Sequence, residues 1–155
     1  MERGPRLAID VGTVRIGLAV SDPDSIVSTP LPALVRSKVL SESLQEILSL
    51  IIDNGVIDVY VGDPLSLSGS ETASTKDARQ FAKQLAELTS VPVRLVDERL
   101  TTVTASSKLR LNGMNSKVAR GLIDSASAVE ILEQALNISK QSGKAAGLRV
   151  GGFND

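Results

Sequence analysis

The chain has 155 residues, enough for one domain that buries roughly two-thirds of its unfolded surface without covalent staples. It carries 17 basic and 18 acidic residues, no Cys and no His. That excludes disulfides, thiolate zinc sites and every nucleophile system that runs through an imidazole or a thiol. Carboxylates, hydroxyls, Lys and Arg remain, and a hydrolase built from these uses carboxylates to hold Mg²⁺ or Mn²⁺. With a net charge of −1, any nucleic-acid partner must be held by a local basic patch.

Residues 6–11 read as a strand: Leu7, Ala8 and Ile9 run together and end in Asp10-Val11-Gly12. Residues 15–21 read as a second, with Ile16, Leu18 and Val20 alternating against Arg15, Gly17 and Ala19. Gly12-Thr13-Val14 between them has hairpin length. Residues 25–35 predict a weaker third strand, placed at an edge by Pro30 and Pro32.

Residues 39–53 predict a helix, with Leu40, Leu44, Ile47, Leu48 and Ile51 at helical spacing and Asn54-Gly55 as its stop. Residues 56–62 predict a buried parallel strand, and 63–75 a polar loop. A helix over 76–89, a strand over 91–96, and helices over 101–111 and 116–136 follow. Residues 138–155 hold four Gly and no periodicity, and read as a flexible tail behind one domain over 1–137. A meander followed by crossovers predicts an α/β fold: a mixed five-stranded sheet with helices on both faces. No apolar run approaches the ~20 residues of a membrane span. The opening Met1-Glu2-Arg3-Gly4-Pro5 has no apolar leader region, so the expected compartment is the cytoplasm.

Three acids stand out. Asp10 ends a buried strand and is followed by Gly12, which lets backbone approach a phosphate, and Thr13, a donor. A turn-initiating Asp also fits there. Asp97-Glu98-Arg99 follows a parallel strand, where ligands of such sheets collect. A helix start capped by Thr101 or Thr102 is the alternative. Asp124 lies at the edge of the buried stripe of the last helix, among the small residues Ser125, Ala126, Ser127 and Ala128. A local pair with Arg120 is its alternative. If Asp10, Glu98 and Asp124 converge, they repel unless a divalent ion neutralises them.

Between Arg99 and Ile123 stand Arg99, Lys108, Arg110, Lys117 and Arg120, with no acid before Asp124. They form a patch that suits a phosphate backbone, although a solvated helical face also fits. Few aromatics means no base-stacking platform. Thr13, Arg15, Thr101 and Thr102 complete the expected nucleic-acid contacts.

Asp10-Val11-Gly12 with Arg15-Ile16-Gly17-Leu18-Ala19, Val61-Gly62-Asp63-Pro64-Leu65 with Gly69-Ser70, Asp97-Glu98-Arg99-Leu100-Thr101-Thr102, and Ile123-Asp124-Ser125-Ala126-Ser127-Ala128 stand in one family's order. From Arg6 to Leu136 the chain resembles the YqgF/RuvX family of bacterial Holliday-junction-resolvase-like proteins. Asp63 and Ser68 depart from the family's pattern, which more often has Gly-Leu-Pro and an Asp before Gly69. The resemblance implies a ribonuclease-H-like fold and metal-dependent cleavage at the 5′ end of precursor 16S ribosomal RNA, with Asp10, Glu98 and Asp124 as the acidic site. It also implies structured RNA, or branched DNA, as the partner of a monomer or homodimer. Two alternatives are a DNA junction resolvase and a non-catalytic RNA-binding module. The Asp-x-Gly-Thr opening also suits a sugar-kinase-like ATPase, but a chain of this length lacks the second phosphate-binding domain such enzymes need.

Overall fold

The computed structural model describes residues 2–100 and 122–151. Strands β1 (Arg6–Val11), β2 (Arg15–Ser21) and β3 (Ser28–Val35) form an antiparallel meander. Helix α1 (Leu40–Asn54), strand β4 (Asp58–Asp63), helix α2 (Ala73–Leu88) and strand β5 (Val93–Asp97) follow as crossovers. A single 3-10 turn over Glu98–Leu100 leaves β5. Helix α3 (Ala126–Ser142) and the short strand β6 (Leu148–Arg149) complete the described chain. The sheet order is β3-β2-β1-β4-β5-β6, with β1, β4 and β5 parallel.

The alternation of side chains across the central strands builds two cores. Leu7, Ile9, Ile16, Leu18, Val59 and Val61 pack under α1 and α2. Ala8, Ala19, Tyr60 and Val96 pack under α3, where Ala128 and Ala135 keep the helix close to the sheet. β4 is buried along its whole length, as its apolar run predicts. No described helix is long and apolar enough to cross a membrane.

Several boundaries differ from the sequence reading. β3 starts at Ser28 because the Asp22 carboxylate accepts the N–H groups of Asp24, Ile26 and Val27 and holds that segment as a turn. Its edge position agrees with Pro30 and Pro32. α2 begins at Ala73 behind a reciprocal cap between Thr72 and Thr75, a pairing hidden because the usual third-position Glu or Gln is absent. α1 ends at Gly55 with φ 64°, as the Asn-Gly stop predicts.

The largest difference is at the C-terminal end. The helix continues past Leu136 to Ser142, with Ser139 buried, and β6 then pairs antiparallel to β5. The sheet therefore has six strands, and the chain from Ile138 to Arg149 does not form the expected tail. A two-residue strand entered through a left-handed Gly147 leaves no alternation to read. The helix expected over 116–136 is seen as α3 from Ala126. The helix expected over 101–111 lies outside the described residues.

Candidate active site

The parallel strands β1, β4 and β5 end side by side, and two of the predicted acids sit there. Asp10 is on β1, two residues after Ala8, so its side chain shares the α3 face of the sheet. Glu98 opens the 3-10 turn after β5 and folds back over β4. A Cβ on Gly62 would lie 2.9 Å from Glu98 Cδ and 2.7 Å from Ile131 Cδ1. Only glycine at that position of β4 leaves room for the Glu98 side chain.

Asp10 and Glu98 share a side-chain hydrogen bond in a half-buried setting. Burial raises the Asp10 carboxyl, and the bond to Glu98 partly offsets this. Glu98 is pushed up to about 8, first by burial, then by the charge of Asp10 and the shared bond, then by Asp63 and Asp97. Near neutral pH the pair therefore retains a proton, which Glu98 donates to Asp10.

Asp124 does not sit within α3, as the sequence reading places it, but in the turn before Ala126. The break frees the side chain of Ser125. Its hydroxyl accepts the Leu18 N–H at 3.0 Å and donates to the Leu31 carbonyl at 2.6 Å. Leu18 and Leu31 are register partners where the β2–β3 pairing shifts, so this hydroxyl bridges the opened ladder. The anchor places the Asp124 backbone over Gly17, whose added Cβ would lie 2.5 Å from Asp124 O. Gly17 is the register partner of Asp10.

The Asp124 carboxylate faces Arg15, with Oδ2 3.3 Å from Nε. That Oδ2 is buried and accepts no hydrogen bond, so the contact has ion-pair distance without hydrogen-bond alignment. The structure thus joins Asp10 and Glu98, and sets Asp124 beside Asp10's neighbouring strand with Arg15 as its counter-cation. Among the described residues no three acidic side chains are grouped to hold a metal ion.

The donor set nevertheless fits a hard divalent cation. Every donor is a carboxylate oxygen, two of them crowd a shared proton, and the buried Asp124 Oδ2 lacks a hydrogen-bond donor.

Of the other predicted contacts, Arg99 is bound to Asp97 at the rim, at 2.6 Å, and holds that carboxyl below its ordinary range. Thr13 is exposed at the hairpin tip and lines a cavity on the opposite, α1/α2 face. Thr101, Thr102, Lys108, Arg110, Lys117 and Arg120 lie outside the described residues. Sequence reasoning missed Gly17, Gly62 and Ser125 as positioning residues. It also missed Arg79, which clamps the buried Asp63 through two bonds of 2.8 and 2.9 Å behind Glu98.

The raised Glu98 carboxyl predicts a pH dependence of the metal-free fold. Its folded pKa, about 8, lies above the ordinary 4.5, so its stabilising contribution is complete below the unfolded value. It is lost as pH rises through the folded value. In EDTA the melting temperature should fall between about pH 5 and about pH 9, and Glu98→Gln should flatten that fall. Parallel pH–melting curves for wild type and variant would contradict the coupled pair.

Residues 4–138 match the family described as "RuvX: Holliday junction resolvase". The chain belongs to that family. A Clavibacter michiganensis protein named "Putative pre-16S rRNA nuclease" is 45% identical over 150 residues, covering 97% of this chain and 93% of its own. A Streptomyces avermitilis protein of the same name is 47% identical over 148 residues, with 95% and 94% covered. Among solved structures, Thermus thermophilus RuvC in complex with a Holliday junction superposes with a TM-score of 0.62 at 15% identity. That match covers 95% of this chain and 99% of RuvC. RuvX and RuvC therefore share the ribonuclease-H-like fold, and the mixed sheet with helices on both faces agrees with the sequence-based expectation.

Proposed function

We propose that the chain is a nuclease that hydrolyses a phosphodiester bond of nucleic acid, in maturation of the 5′ end of precursor 16S ribosomal RNA. The observation that carries this reading is the proton-sharing pair of Asp10 and Glu98 at the carboxyl ends of parallel strands; the Asp124 backbone packed on Gly17, the register partner of Asp10, supports it. Membership of the family and the names of its relatives support the substrate class.

Asp10, Glu98 and Asp124 are the residues that would hold Mg²⁺ or Mn²⁺, which when bound supplies an activated water and neutralises charge on the phosphate. Glu98 gives up its proton for the site to hold a cation, so affinity should rise with pH. Asp10 stays at the centre of the site through the β1–β2 register, and Gly17 lets Asp124 approach it. Arg15 balances Asp124 and offers a guanidinium at the mouth of the site, where a phosphate oxygen can share it. Arg99, held by Asp97, offers a second at the rim.

The test is cleavage by the purified full chain of a precursor 16S RNA fragment and of a four-way DNA junction, with Mg²⁺ or Mn²⁺. RNA cleavage that generates the mature 5′ end and stops in EDTA is the expected result. Cleavage of the junction alone would move the substrate to DNA. Binding without cleavage under either metal would leave an RNA-binding module.

A further inference from the structure

The cavity that Thr13 lines measures about 390 Å³ and lies on the far side of the β1–β2 hairpin from the carboxylates. Its wall is built, not incidental. Arg36, which follows β3, donates to both oxygens of Asp77 on α2, at 2.6 and 2.8 Å, and to the carbonyl of Gly12 at 3.0 Å. Those bonds pin the hairpin tip, two residues beyond Asp10, onto α2.

The charge on this wall is net positive, even with Glu42 accepting a hydrogen bond from the lining Ser37 hydroxyl. Asp77 is consumed by Arg36. Lys38 lines the cavity and is exposed. On α2, Gln80 also lines it, and Lys76 and Lys83 share the same exposed helix face at spacings of four and three. Among the described residues none of these three lysines has an ion-pair partner. Lys76 and Lys83 are about 10 Å apart along the helix axis, the span of roughly three nucleotides of one strand. Among the described residues the one aromatic ring at the cavity, Phe81, is 1% exposed and offers no stacking surface. Phosphate and sugar are therefore what this wall recognises.

We propose that this cavity and the Lys76–Gln80–Lys83 face form a second nucleic-acid backbone site, gripping the strand that flanks the scissile phosphate after it crosses the hairpin tip. The proposal rests on the nuclease reading for its direction. It adds a binding surface that neither the acidic site nor the segment between Arg99 and Asp124 contains. Thr13 then belongs to this surface, and the hairpin is a ridge that the strand crosses.

The experiment measures binding of a labelled stem-loop RNA with a single-stranded 5′ extension to the full chain in EDTA, across a salt series. Lys38→Glu should weaken binding about tenfold and lower the slope of log affinity against log salt by about one, while Lys38→Arg retains both. Lys83→Glu should act in the same direction, and serves if Lys38→Glu lowers the melting temperature. Wild-type affinity and salt slope in both Glu variants would overturn the second site while leaving cleavage by the enzyme, and so the nuclease reading, untouched. A wild-type chain that neither binds nor cleaves RNA or junction DNA would overturn both.

Discussion

Asp10→Asn is expected to remove cleavage, by about a hundredfold or more, from a chain that folds normally. The substitution keeps the size of the side chain and its capacity to hydrogen-bond. It removes the charge that, after burial, does most to push Glu98 upward. In the metal-free protein the loss of like-charge crowding should leave the melting temperature unchanged or higher. The same loss lets the Glu98 carboxyl ionise at lower pH, so the fall of stability with pH should be smaller and end sooner. Cleavage rate, a circular dichroism melt and a pH series on one preparation check all three. Wild-type-like cleavage by purified Asp10→Asn would end the proposed chemistry.

Gly17→Val carries the largest expected cost to the fold. Its new Cβ would meet Asp124 O at 2.5 Å and Ser125 Cα at 3.2 Å, and both are backbone atoms that cannot rotate aside. The start of α3 must shift, at about 1–3 kcal/mol for the overpacking. The shift also breaks the Ser125 bridge into the β2–β3 ladder, adding about 1 kcal/mol or more for buried groups left unpaired. The melting temperature should fall by roughly 5–10 °C, with cleavage lost because Asp124 moves. Gly62→Ala meets only side-chain ends, Ile131 Cδ1 and Glu98 Cδ, so it should disturb cleavage more than stability. A Gly17→Val chain that melts and cleaves like the wild type would refute the close approach of α3.

Much of this arrangement is legible in the sequence because it is local. Alternation in residues 15–21, the apolar run of β4, Pro30 and Pro32 in β3, and Gly55 after α1 each report structure within a few residues. Asp10 and Glu98 are legible for a further reason. Each ends or follows a readable strand, and carboxyl ends of parallel strands gather ligands. What escapes depends on distant pairing. Arg36 meets Asp77 41 residues away, and Arg79 meets Asp63 across the β4–α2 connection. Asp124 and Ser125 look like members of one continuous helix until β2 and β3 open a gap that the hydroxyl of Ser125, in the turn before α3, fills. β6 is too short to show a pattern, and exists because β5 offers it an edge.

The Ser125 hydroxyl also orders events in time. Leu18 lies in the second strand made, yet its amide partner arrives 107 residues later. As the chain leaves the ribosome, the meander can collapse early, but its seam stays open until the last third has been synthesised. Such separation favours slow, late closure. Asp124 reaches its place in the same step, long after Asp10 and Glu98 and together with the start of α3.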